Sequence, residues 1–105
     1  MVGKEWLKVG VIGVDAGMCW VGDPCRVIHD EEGPEAALGK DWYDFCRLTT
    51  KHGIEGPTSA AQFDAKTGLG VCVRSGYGDG AYDVFVRKSR DGKVAELRVV
   101  FIEEG

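Results

Sequence analysis

The stretch LGVCVRSGYGDGAYDVFVRKSRDGKVAELRVVFI, residues 69–102, decides the fold. It contains three runs rich in β-branched and aromatic residues, Leu69 to Arg74, Ala81 to Lys88 and Val94 to Ile102, separated by glycine-bearing turns. Asp91-Gly92 predicts a hairpin at the second turn. Setting Arg90 opposite Lys93 pairs Val86 with Leu97, Val84 with Val99 and Tyr82 with Phe101, and puts Arg87 across from Glu96 on the other face. Closing the first turn with Arg74 opposite Ala81 pairs Val73 with Tyr82, Val71 with Val84 and Leu69 with Val86. Both registers gather nine apolar side chains on one face, and a slip of one residue would split them. The expectation is an antiparallel meander with a one-sided core.

Upstream, Trp6 to Val14 reads as a strand that is apolar on both faces, which suits a central position covered on both sides. Asp15-Ala16-Gly17 turns the chain into a short strand, Met18 to Val21, which Gly22-Asp23-Pro24 stops. Asp30 to Gly39 reads as a loop. A short helix near 41–49 follows, with Asp41 as cap, Asp44 at the positive dipole end, and Trp42, Phe45 and Cys46 on one face. Thr49 to Ser59 reads as a second loop. Gln62-Phe63-Asp64 is a further strand, turning at Lys66-Thr67-Gly68. The prediction is one mainly β domain over 1–105 with minor α content. It is an antiparallel β-sandwich or open barrel of about six to seven strands, with one short helix.

Composition narrows the function classes. Sixteen glycines in 105 residues favour turns and strands, and a net charge of −4 opposes non-specific nucleic-acid binding. The basic strip Arg87, Lys88, Arg90 and Lys93 reads as a solvated hairpin end. Apolar stretches such as Val99-Val100-Phe101-Ile102 fall far short of the roughly 20 residues a membrane helix needs, and the first residues have no apolar signal core. Cys19, Cys25, Cys46 and Cys72 form no Cys-x-x-Cys pair and read as small thiols in a cytoplasmic protein rather than as a disulfide or metal framework. Cys25 with His29, or with His52, makes no recognisable nucleophile motif. Gly10-Val11-Ile12-Gly13 lacks the third glycine and the helix of a dinucleotide fingerprint. No catalytic residue, metal or cofactor is assigned.

Gly76-Tyr77-Gly78-Asp79-Gly80 holds an acid and an aromatic in a loop whose backbone is free to take unusual angles. Asp15 and Asp23 sit in similar glycine- or proline-shaped turns at strand ends. Three such carboxylates could bind a hard cation, work as acid and base, or simply tie their own turns. Tyr77, Trp20 and Trp42 offer flat surfaces, with core packing expected for Trp42. Arg26 and Arg74 are the cations that would pair with Asp23 or Asp79, or clamp an anionic ligand. The candidate ligand-binding set is therefore Asp15, Asp23, Arg26, Arg74, Tyr77 and Asp79.

At Asp15-x-Gly17, Gly22-Asp23-Pro24-Cys25 and Gly76-x-Gly78-Asp79-Gly80-x-Tyr82-x-Val84, the chain resembles a family of small uncharacterised proteins of bacteria and phages. The likeness spans about residues 9 to 102. It departs at Arg26, where the family tends to have tyrosine, and at Asp83, where proline is common. The resemblance implies a β-rich fold without an established activity, and suggests that Asp15, Asp23 and Asp79 belong to one shared feature.

The reading that follows is a non-enzymatic binding domain, taking a small polar ligand or a protein partner at a strand-end site, with a homodimer able to share the pocket. The alternatives are a small metal-dependent or aspartate-based hydrolase, and a purely structural interaction module.

Overall fold

The computed structural model describes residues 5–28 and 38–104. Eight elements are named in chain order: β1 (Leu7–Val14), β2 (Met18–Val21), α1 (Cys25–Ile28), α2 (Trp42–Lys51), β3 (Ala60–Phe63), β4 (Gly70–Arg74), β5 (Gly80–Lys88) and β6 (Val94–Val99). The protein is mainly β. The strands form two antiparallel three-stranded sheets, ordered β1-β5-β6 and β2-β4-β3, and neither closes into a barrel. Chain contacts group the residues into two units, one of 1–17 with 75–105 and the other of 18–74.

In the first unit the β5–β6 hairpin has the register its sequence predicts, with Val84 opposite Val99, Val86 opposite Leu97, and Arg87 opposite Glu96. The turn is longer than Asp91-Gly92 alone. Ser89 N–H donates to the Lys93 carbonyl and Gly92 N–H donates to the Ser89 carbonyl. Gly92 takes φ +87°, which makes a three-residue connection with glycine at the left-handed position. Lys88 then faces Val94, so Ala95 is an extra residue in the strand. Beyond Val99 the expected strand stops, although Phe101 still meets Tyr82 edge to face at 5.2 Å.

The predicted hairpin between Arg74 and Ala81 does not form. β5 pairs instead with β1, placing Leu7 opposite Val86 and Ile12 opposite Tyr82. β5 is thus the central strand, and β1 is an edge strand with Leu7, Val9 and Val11 exposed, not the doubly covered strand its apolar run suggested. Val9 is a bulge, inserted between Lys8 and Gly10.

The second unit holds the best-packed core, which also corrects the nine-residue core placed on the meander. β4 runs between β2 and β3, with Trp20 opposite Cys72 and Ala61 opposite Cys72 on its other side. Ile54, Ala61, Phe63, Leu69 and Cys72 are buried, and Met18, Trp20, Leu38, Phe45 and Leu48 pack around them. Burying a side chain such as Phe63 contributes about 1.5–3 kcal/mol before ordering costs. Helix α2 starts where expected, its Asp41 carboxylate accepting from Asp44 N–H at 2.8 Å. It runs on to Lys51, two residues past the expected end, and stops where His52 N–H donates to the Leu48 carbonyl and Gly53 N–H to the Thr50 carbonyl. Most of the loop expected over 30–39 lies outside the described residues, and Leu38 within it is helical.

Candidate functional site

The glycine-rich loop is a small knot of hydrogen bonds. Ser75 is fully buried, and its hydroxyl donates to the Gly78 carbonyl at 2.8 Å. The Tyr82 hydroxyl reaches the same carbonyl at 2.5 Å and the Ser75 carbonyl at 3.1 Å. Gly78 N–H closes the turn onto Ser75, and Ser75 N–H donates to Gly17. Gly76 has φ +66° while Tyr77 stays at negative φ, the pattern of a type II′ turn. A Cβ at Gly76 would also come within 2.9 Å of Ile102 Cγ1. The glycines therefore serve turn geometry and close packing.

This knot leaves Tyr77 90% exposed and Asp79 exposed beside it. A Cβ at Gly17 would stand 3.9 Å from Asp79 Oδ1, so the Asp15-Ala16-Gly17 turn adjoins the Asp79 carboxylate. Asp15 itself is exposed.

Asp23, Arg26 and Arg74 belong to the other unit. Asp23 Oδ1 accepts from Cys25 N–H at 3.0 Å, and its carbonyl accepts from Arg26 N–H, so Asp23 starts α1. Arg74 pairs with Glu55 at 2.5 Å. Trp20 lies in the core, edge-on to Phe63 at 5.3 Å. Trp42, expected in the core, is 58% exposed although stacked on Phe45 at 5.5 Å. Among the described residues no three His, Cys, Asp or Glu side chains gather as a metal-holding set.

Burial above all holds the Cys72 thiol up at about 11, reinforced by Cys19 and Cys46 and opposed by Arg74; burial raises Cys19 as well. Cys25 is exposed, and its sequence neighbour His29 lies outside the described residues.

A concave site lies elsewhere in the first unit. Opposite the face that carries Val84 and Val86, the alternating residues Phe85 and Arg98 face each other across β5 and β6. Together with Trp6, Val100, Ile102, Glu103 and Glu104 they line an open groove of about 600 Å³. The guanidiniums of Arg87 and Arg98 lie 5.0 and 5.3 Å from the Trp6 ring centre. Arg87 is neutralised by Glu96. Among the described residues Arg98, Glu103 and Glu104 make no ion pair.

Sequence reasoning passed over this groove because it followed the uniformly apolar face. The available signal was the pair Phe85 and Val100, apolar positions set among Asp83, Arg87, Glu96 and Arg98 on a face otherwise charged. Among the described residues no helix is long and apolar enough to cross a membrane. Comparison of the chain with protein-family models, curated proteins and solved structures gives no match.

Proposed function

We propose that the chain is a non-enzymatic binding domain, and that its ligand occupies the groove between Trp6, Phe85, Arg98, Val100 and Glu103–Glu104. The observation that carries this reading is a groove lined by Trp6, Phe85, Val100 and Ile102 together with charges of both signs, Arg98, Glu103 and Glu104, that lack ion-pair partners among the described residues. Ligand sites have this character: apolar walls supply affinity, a few polar groups fix orientation, and volumes run from about 300 to 1,000 Å³. The four free thiols support a reducing, cytoplasmic setting.

A second reading keeps the partner contact at the strand end. It is favoured by Tyr77, an aromatic side chain held 90% exposed on a hydrogen-bonded turn next to Asp79. Tyrosine presented on a rigid turn contributes contact area at low entropic cost.

Chemical-shift mapping of the labelled protein against a fragment library separates the two. Shifts gathered at Trp6, Phe85, Arg98, Val100 and Ile102, and lost in a folded Val100→Lys variant, are the expected result. Shifts gathered at Tyr77 and Asp79 would transfer the function to the strand end, and a library that moves neither cluster would overturn both.

A further inference from the structure

The groove of the first unit is lined by charges of both signs. Its lining includes Arg98, whose guanidinium lies over the Trp6 ring. A guanidinium held over a ring by cation–π attraction still has N–H groups with which to grip a carboxylate. The stacking also orders the side chain in advance, so less rotamer freedom is lost when an anion binds. The neighbouring Arg87 does not compete for that role, because Glu96 already neutralises it. The other lining charges are the consecutive carboxylates Glu103 and Glu104, both exposed. Phe85, Val100 and Ile102 supply apolar side chains to the same lining. Among the described residues Arg98, Glu103 and Glu104 form no ion pair with one another even though they line the same groove.

We infer that the groove accepts a short peptide segment of zwitterionic pattern, with an apolar side chain between a carboxylate that faces Arg98 and a basic group that faces Glu103 and Glu104. The inference rests on the groove being the binding site, as proposed above. Charge complementarity selects this occupant: an all-anionic ligand would meet two carboxylates, and an all-cationic one would meet the fixed Arg98. The volume of about 600 Å³ exceeds that of one amino acid and matches a few residues of extended chain.

Capped peptides with one to three leucines between lysine and glutamate provide the probe, titrated while the Trp6 indole N–H and the Val100 and Ile102 methyl signals are followed by NMR. Replacing the lysine or the glutamate of the best-bound peptide by glutamine should weaken binding about tenfold each. The protein variants should act in register with the peptide. Arg98→Gln should abolish the preference for the peptide's glutamate and spare that for its lysine, and the Glu103→Gln, Glu104→Gln double variant should do the reverse. Both changes are at exposed positions, and an unchanged amide spectrum elsewhere confirms folding. If all peptides move the groove signals with equal affinity, the charge inference is overturned while the groove remains the site. If none moves those signals, the groove reading falls with it.

Discussion

Gly70 owes its identity to Trp20. A Cβ there would fall 2.6 Å from Cε2 and 2.7 Å from Cη2 of the indole, which itself packs against Phe63 and Phe45. Gly70→Ala should therefore cost about 1–3 kcal/mol by overpacking, read as a lower urea midpoint at unchanged slope. The Tyr82 hydroxyl matters in a different way. Its single O–H is shared between the Gly78 and Ser75 carbonyls of the turn, the Gly78 one nearer, so Tyr82→Phe should lose about 1–2 kcal/mol while Tyr77→Phe, 90% exposed, should lose almost nothing. Equal losses in the two variants would refute this account of the loop. Tyr82 stands in the motif that drew attention to the loop, yet the sequence alone favoured Tyr77. An exposed aromatic and a turn-tying one look alike until the carbonyls they reach are placed.

Among the elements, α2 was the most legible, since its N-terminal signals are local. Asp41 caps Asp44 N–H, and Asp41→Ala should cost about 1 kcal/mol. Asp44 sits in the first turn, and its hydrogen bond from Arg47, then the one from Lys40 N–H, hold its carboxyl below the ordinary 3.8. Because the folded value is the lower one, this stabilisation is present above pH 3.8 and disappears as the pH falls through the folded value. The stability difference between the wild type and Asp44→Asn should accordingly shrink on acidification, as followed by thermal melts across that range. The β5–β6 register was equally readable, because Arg87 opposite Glu96 and Val84 opposite Val99 agree only in one alignment. The same logic failed between Arg74 and Ala81. β4 and β5 both alternate, and each fits several partners about equally well by pattern. The choice is made by a turn that binds Gly17 and by strands far away in sequence, β1 for β5 and β2 with β3 for β4. β1 misled for a related reason: an apolar run on both faces signals burial, but Gly10, Gly13 and the Val9 bulge suit an edge.

Across the whole molecule the four thiols should rank by burial. Cys25 is exposed, Cys19 and Cys46 are half-buried, and Cys72 is buried with its thiol near 11. A thiol reagent at pH 8 should modify Cys25 first and reach Cys72 only on the timescale of unfolding, as mass spectrometry of quenched samples would show; early labelling of Cys72 would contradict its packing. The raised Cys72 value also has a sign. Its contribution is complete below pH 9.0, where the unfolded thiol still holds its proton, and is lost as the pH rises toward about 11. The chain order of the two sheets carries a temporal consequence. β1 is synthesised before its strand partner among the described residues, β5, which emerges from the ribosome after all of β2, β3 and β4 have been made. The strands of the other sheet lie within one continuous stretch and can meet as soon as β4 is released. Nascent protein should thus build the Phe63 core first, while β1 waits with its backbone hydrogen-bonding groups unpaired. Translation pauses between β4 and β5 would prolong that wait, making the earliest strand of the chain the last to be protected.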